Sequence, residues 1–178
     1  MIKTARLSLR EFHLGDADFI VELLNEPAFI ANIRDAGIRN AEDACYYLTD
    51  GPLASYAQHG FGLWLVEAPG HGPIGTCGLL RREGLDDPDL GFALLERYWG
   101  RGYAREAAAA VLEFGFGELK MERILAITAP DNDASARVLE SVGLRFETDL
   151  FLPDGPGQTR LFSIRKPSLL AKYVQGDP

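Results

Sequence analysis

Apolar and polar residues in this chain follow two kinds of repeat: runs that alternate or are continuously apolar, and stripes with a period near 3.6. Ala5–Phe12 (ARLSLREF) alternates in places and reads as a first strand. Phe19, Ile20, Leu23 and Leu24 form a stripe that predicts a helix over Ala17–Asn25, capped by Asp16 and ended by Pro27. A second helix is predicted from Asn40, a capping residue, to about Thr49, closing at Asp50-Gly51-Pro52. The segment between, Phe29–Arg39, has mixed character. Phe61–Glu67 and Ile74–Arg82 read as strands joined by Ala68–Pro73, which is turn chemistry throughout. After a turn at Gly84–Pro88, Asp89–Leu95 is mostly apolar and suits a buried strand. Ala104, Ala107, Ala108, Val111, Leu112 and Gly115 share one face of a helix that runs to Leu119. Glu122–Thr128 is another buried strand; strand, helix and strand in succession imply that it lies parallel to Asp89–Leu95. Pro130 stops it, Asp131 or Asn132 caps a helix, and Gly143 ends that helix. Leu144–Leu152 and Thr159–Ile164 are the last two strands, joined through residues 153–157.

This order predicts a mixed α/β fold in one domain, residues 1–168. Its central sheet should be mixed and mostly antiparallel, with the fourth and fifth strands parallel and about four helices around it. Residues 169–178 read as a C-terminal tail, disordered from Lys172 onward. The chain's 178 residues are enough to bury a real core. Lys and Arg number 18 against 26 Asp and Glu, a net charge of −8. That balance argues against nucleic acid or an anionic membrane as partner and suits cationic substrates. No apolar run approaches the roughly 20 residues of a spanning helix, and the N-terminus lacks the apolar segment of a signal peptide. Cys45 and Cys77 are too few for a disulfide framework, which points to a reduced, cytoplasmic setting. Cys77, within a strand, reads as a small core residue. His13, His59 and His71 show no metal-ligand spacing, so no metal is expected; His71, between two glycines, reads as exposed and inert.

The chemistry concentrates between the buried strand at Asp89–Leu95 and the helix that follows. Gly100-Arg101-Gly102 leaves room only for a tight turn, and its glycines allow positive φ and close approach of a ligand to the main chain. The turn opens into a helix whose first N–H groups have no partner within the helix. Those donors, with the helix dipole, make an anion site suited to phosphate. The alternative is a strand-to-helix turn that merely contains two glycines.

Tyr98-Trp99-Gly100-Arg101-Gly102-Tyr103-Ala104 resembles the Gln/Arg-x-x-Gly-x-Gly/Ala signature of the GNAT superfamily of N-acetyltransferases. Arg101, Gly102 and Ala104 fit that pattern. Trp99 stands where Gln or Arg is usual, but the wording Tyr-Trp-Gly-Arg/Lys-Gly-Tyr-Ala is that of the RimJ/RimL-like branch. Thr4-Ala5-Arg6-Leu7-x-Leu9-Arg10 followed by Asp16-Ala17 also resembles the opening of that branch; Arg6 and Arg10 themselves read as solvated strand charges. The resemblance spans residues 3–166 and is sharpest at 89–105 and 128–144. It implies that the loop from Trp99 through Gly100, Arg101, Gly102, Tyr103 and Ala104 to Arg105 holds the pyrophosphate of acetyl-CoA, with no metal. It also implies a backbone N–H donor for the thioester carbonyl in a bulged part of the strand, around Phe92, Ala93 and Leu94, with Gly91 a plausible correlate of the irregularity. The run from Asn132 through Ser135 to Gly143 resembles the second cofactor segment of the family. There Asn132 contacts the pantetheine arm, or serves only as a helix cap, or both. Ser135 could hydrogen-bond the leaving sulfur or simply cap the helix.

Proton removal departs from some relatives. In the ribosomal-protein alanine branch a Glu base lies five residues before the Asn and a Tyr acid seven residues after it; here Ile127 and Leu139 occupy those positions. Asp89 stands where many family members carry an acidic residue that acts directly or through water; otherwise it is a solvated carboxylate beside Asp86 and Asp87. Asp86, Asp87, Asp89, Asp149 and Asp154 could line an entrance for a cationic amine, or be no more than solvated turns. Without a dedicated base, an α-amine of pKa near 8 is a better acceptor than a lysine near 10.4. The reading is therefore an N-acetyltransferase acting on a peptide or protein N-terminal α-amine by direct attack in a ternary complex. The alternatives are transfer to a small-molecule amine, or a catalytically silent CoA-binding module that regulates a partner. A nucleotide-dependent phosphotransferase would need a Gly-Lys-Ser/Thr loop, and none follows Gly102. The sequence leaves a homodimer open.

Overall fold

The structure, a computed structural model of the chain, describes residues 1–152 and 157–166. The expected tail and residues 153–156, including Asp154, lie outside the described residues. Eight strands form one sheet: β1 (Ile2–Lys3), β2 (Ser8–Arg10), β3 (Leu63–Ala68), β4 (Gly72–Leu80), β5 (Asp89–Leu94), β6 (Arg123–Thr128), β7 (Arg145–Phe151) and β8 (Gln158–Arg165), in the order β1-β2-β3-β4-β5-β6-β8-β7. Every neighbouring pair is antiparallel except β5–β6, which is parallel as its strand–helix–strand connection requires.

Six α-helices are found among the described residues: α1 (Ala17–Leu24), α2 (Pro27–Asn32), α3 (Ala41–Leu48), α4 (Ala54–His59), α5 (Tyr103–Gly117) and α6 (Asp133–Ser141). Two of them, α2 and α4, go beyond the four expected. α1 ends at Leu24, short of Pro27 as expected, but Pro27 does not stop the chain there: it opens α2 at its first position, where a missing N–H costs nothing. Pro52 likewise fails to stop the chain. It sits in a widened turn over Thr49–Leu53, and helical backbone continues to Gly60, whose φ of +74° makes the true terminus. The first predicted strand, Ala5–Phe12, shortens to β2, because Thr4 N–H and Oγ1 both bond to Leu7 O and fold residues 4–7 into a turn; β1, on the far side of that turn, goes beyond the expected strands.

Alternation along the strands sends side chains to two cores. On one face Trp64, Val66, Cys77, Leu79, Leu90, Leu94, Ile124 and Ala126 pack with Ala107, Ala108, Val111 and Leu112 of α5. On the other, Leu65 packs with Ile20 and Leu24 of α1 and Ala44 and Leu48 of α3. The alanine face of α5 is what lets this helix lie close against the sheet, with Ala107, Ala108 and Val111 fully buried.

Arg10 is not a freely solvated charge, and Arg6, though exposed, is paired. Arg10 grips Asp16 through both terminal guanidinium nitrogens, at 2.9 and 2.8 Å, and reaches Glu67 through Nε at 3.1 Å. These bonds tie β2 to β3 and to the start of α1. Arg6 is held by Glu106, the pair at 2.6 Å. No helix among the described residues is long and apolar enough to cross a membrane.

Candidate active site

The parallel pair β5–β6 is joined at its N-terminal end only. Asp89 and Leu125 are register partners, and Leu125 N–H donates to Pro88 O at 2.9 Å. Beyond that point the strands part, making a wedge that opens toward their C-terminal ends, where ligands bind in open α/β sheets. Both helices that follow these strands, α5 and α6, start at its mouth.

One edge of the wedge is backbone. β5 pairs with β4 without interruption from Leu80–Asp89 to Gly75–Leu94, so the expected bulge is absent. Gly91 serves a different purpose: a Cβ there would stand 2.6 Å from Leu80 Cδ1, so glycine permits a tight side-chain layer rather than an irregularity. Leu95 N–H donates to Ile74 O at 3.0 Å. In an antiparallel ladder bonded and non-bonded pairs alternate, so Ala93 spends its N–H and C=O on Thr76 of β4. Phe92 and Leu94, with the opposite parity, turn theirs toward the wedge. Of the three residues expected to supply the carbonyl donor, geometry therefore favours Phe92 and Leu94 and removes Ala93. The Leu94 carbonyl accepts from Trp99 Nε1 at 2.8 Å, which gives Trp99 a role the motif does not show: it occupies the acceptor that a continuing β6 would have used.

At the mouth, Gly100 and Gly102 have φ of +71° and +77°, the left-handed region that favours glycine. A Cβ at Gly100 would meet nothing within 4 Å, so the space beside the turn is open. Among the described residues, none of the backbone N–H groups from Gly100 to Arg105 has an acceptor; Glu106 N–H makes the first bond, to Gly102 O at 3.1 Å. A run of free donors at the start of a 15-residue helix fits a diphosphate. The Arg101 guanidinium lies 5.5 Å over the Tyr98 ring, and His71, exposed as expected, packs edge-on against that ring at 5.5 Å.

At the start of α6 Asn132 is the helix cap, accepting from Ser135 N–H at 3.0 Å. Its side-chain NH₂ and the Ser135 hydroxyl have no partner among the described residues, so both are available to a ligand. Ile127 is partly buried on β6, and Leu139 belongs to the core; neither offers a proton-transfer group.

Asp89 is not a solvated carboxylate. It sits at the apex of the wedge, 1% exposed, and Oδ2 accepts from Arg82 Nε at 2.8 Å, while Oδ1 has no partner. Burial pushes its carboxyl above the ordinary value, and the Arg82 charge and hydrogen bond only partly offset this. Because Leu90 and Leu94 face α5, Asp89 faces the opposite side of the sheet. That side holds a cavity of about 310 Å³ lined by Leu63, Leu80, Arg81, Tyr47, Ser55 and His59, among others. Of the acidic residues considered for a cationic entrance, Asp87 pairs with Arg123 at 3.3 Å and Asp89 with Arg82, so neither charge is free for an amine, while Asp86 and Asp149 are exposed. Cys77 is fully buried, with its thiol pushed up by burial, and takes no part. Among the described residues no three His, Cys, Asp or Glu side chains are placed to hold a metal.

A family model described as an acetyltransferase (GNAT) domain matches residues 6–145. Over 179 aligned positions the chain is 30% identical to an uncharacterized N-acetyltransferase, p20, of Bacillus licheniformis, covering 97% of both proteins. It is 36% identical over 91 residues to an uncharacterized protein, YkkB, of Bacillus subtilis, covering 49% of this chain and 53% of that one. Among solved structures, a GNAT-family acetyltransferase from Bacillus anthracis superposes with a TM-score of 0.75 at 25% identity, covering 92% of this chain and 97% of that one.

Proposed function

The chain belongs to the GNAT acetyltransferase family and is an acetyl-CoA-dependent N-acetyltransferase, and from that premise we propose that its acceptor is the α-amine of a peptide or protein. The observation that carries this reading is the wedge with its two unlike ends. The mouth is a run of unpaired N–H donors suited to a diphosphate. The apex holds one buried carboxylate, Asp89, next to Leu80, which lines the cavity on the opposite face of the sheet; Asp89 itself does not line it.

The free N–H groups from Gly100 to Arg105 hold the diphosphate, and the Asn132 amide reaches the pantetheine arm along the wedge. A fixed N–H of β5, that of Phe92 or Leu94, would be the group to stabilise negative charge developing on the thioester oxygen. The Ser135 hydroxyl is free to donate to the departing thiolate. The acceptor amine enters from the cavity side and attacks directly, both substrates being held in line.

Proton removal falls to Asp89. A carboxyl whose pKa is raised toward neutrality is a better-matched base than an ordinary one, and Oδ1 has no competing bond. Because Oδ1 is out of solvent contact, the proton arrives through a bridging water or after the half-exposed Arg82 side chain moves aside. With this modest base and no acid or base at Ile127 or Leu139, an amine that is already partly neutral has the advantage. The branch resemblance points the same way. Transfer to a small-molecule amine is the second reading, favoured by the small size of the cavity. Thiol release on mixing the protein with acetyl-CoA and a panel of N-terminal peptides, polyamines, aminoglycosides and amino acids tests both. Peptides should give the fastest release. No release with any amine would favour a silent CoA-binding module.

A further inference from the structure

The N-terminal turn reaches the diphosphate loop through one side chain. Arg6 Nη1 donates to Arg101 O at 3.0 Å, and its Nε donates to Glu106 Oε2 at 2.7 Å. The guanidinium lies 4.9 Å over the Tyr103 ring, and Nη2 is 3.4 Å from where a Cβ on Gly102 would stand. Glu106 is itself fixed from the same turn, accepting Arg6 N–H at 2.9 Å and the Thr4 hydroxyl at 2.6 Å. Arg6 thus spans from the first turn of α5 to the carbonyl between Arg101 and Gly102.

Two physical consequences follow. In a trans peptide C=O and N–H point in opposite directions, so holding Arg101 C=O toward Arg6 aims Gly102 N–H away from it, to the side left open. Glu106 alone would also place a negative charge beside an anion site; the paired guanidinium cancels it.

We propose that Arg6 is a positioning residue for the diphosphate of acetyl-CoA, acting through the Arg101–Gly102 peptide and held in place by Glu106. This rests on the acetyl-CoA reading above. Arg6 touches the part of the site that serves the diphosphate and none that serves the thioester, so its effect must depend on whether the donor carries a diphosphate.

The test compares acetyl-CoA with S-acetyl-pantetheine, which has the same thioester and no diphosphate, in the full chain. In Arg6→Gln the ratio of kcat/KM for acetyl-CoA to that for S-acetyl-pantetheine should fall about tenfold, the worth of one charge-assisted hydrogen bond. Arg6→Lys, which keeps the charge and loses the fork, should lie between. Glu106→Gln gives a test of opposite sign, and with Arg6→Lys it carries the question if Arg6→Gln fails to fold. Removing a nearby negative charge should tighten CoA by itself, whereas releasing Arg6 should weaken it, and weaker calorimetric binding is expected. An unchanged ratio in folded Arg6→Gln, an equal loss with both thioesters, or tighter CoA binding by Glu106→Gln would overturn the assignment. A wild-type protein that binds no CoA would instead overturn the function from which it starts.

Discussion

Gly102→Val probes the diphosphate site at its most constrained point. At φ +77° a residue with a Cβ costs roughly 1–2 kcal/mol relative to glycine, and a β-branched one more. The structure offers two ways to respond. If the turn keeps its shape, that cost appears as lost stability, and the added methyls project beside Arg6, 3.4 Å from the Cβ position. If the turn relaxes toward negative φ, the N–H groups of Gly102, Tyr103 and Ala104 no longer converge. A hydrogen bond to a charged group is worth about 1.5–3 kcal/mol, so losing even one weakens binding by roughly tenfold or more. Acetyl-CoA affinity should therefore fall at least about tenfold by calorimetry, in a protein whose melting shows that it is folded. Gly117→Val is the matched control, because Gly117 lies at the far end of α5 with nothing within 4 Å of its Cβ position and no positive φ. A folded Gly102→Val protein with unchanged affinity would remove the turn from the binding site.

Asp89→Asn should lower kcat about 100-fold or more while leaving acetyl-CoA affinity intact, and should abolish an acidic limb that lies above the ordinary carboxylate value of 3.8. Near-normal turnover with the same profile would reduce Asp89 to the partner of Arg82. Ser135→Ala should cost about tenfold in kcat, the worth of one hydrogen bond, with little change in the KM of the acceptor; the reverse pattern would place Ser135 in binding. Asp16 is pushed up by its burial but brought down further by hydrogen bonds from Arg10 and the His13 N–H, so its folded pKa lies below 3.8. A depressed carboxyl contributes stability that is fully present above the unfolded pKa and is lost as pH falls through the folded value. Asp16→Asn should therefore lower denaturant stability by about 1.5–3 kcal/mol at neutral pH, and the gap from wild type should close toward pH 2 rather than persist.

The architecture was largely legible because its long elements are marked by period. The α5 stripe of Ala107, Ala108, Val111 and Leu112 is buried as its spacing demands, and the parallel β5–β6 pair follows from chain order. Short helices were not legible. α2 and α4 have six residues each, too few to show a stripe, and each stands beside a proline that reads locally as a stop. The glycine turn was readable because positive φ leaves a mark on residue choice. The splay of β5 from β6 was not, since it depends on where hydrogen bonds end rather than on which side chains are present. The same holds for the Trp99 indole on Leu94 O and for Arg6, whose partners Arg101 and Glu106 lie 95 and 100 residues away. Asp89 was found by position along the strand, but its burial and its bond to Arg82 came only from the fold.

Passage of the acetyl group from acetyl-CoA through the wedge to an α-amine can be tested by the neutrality of the acceptor. At pH 7.5 an amine of pKa about 7.8 is roughly one-third neutral, against roughly 0.1% for a lysine at about 10.4. The decisive measurement is mass spectrometry of a peptide bearing one free N-terminus and one lysine of matched exposure, after turnover with acetyl-CoA at that pH. Label is expected on the N-terminus; label mainly on the lysine would refute transfer to an α-amine.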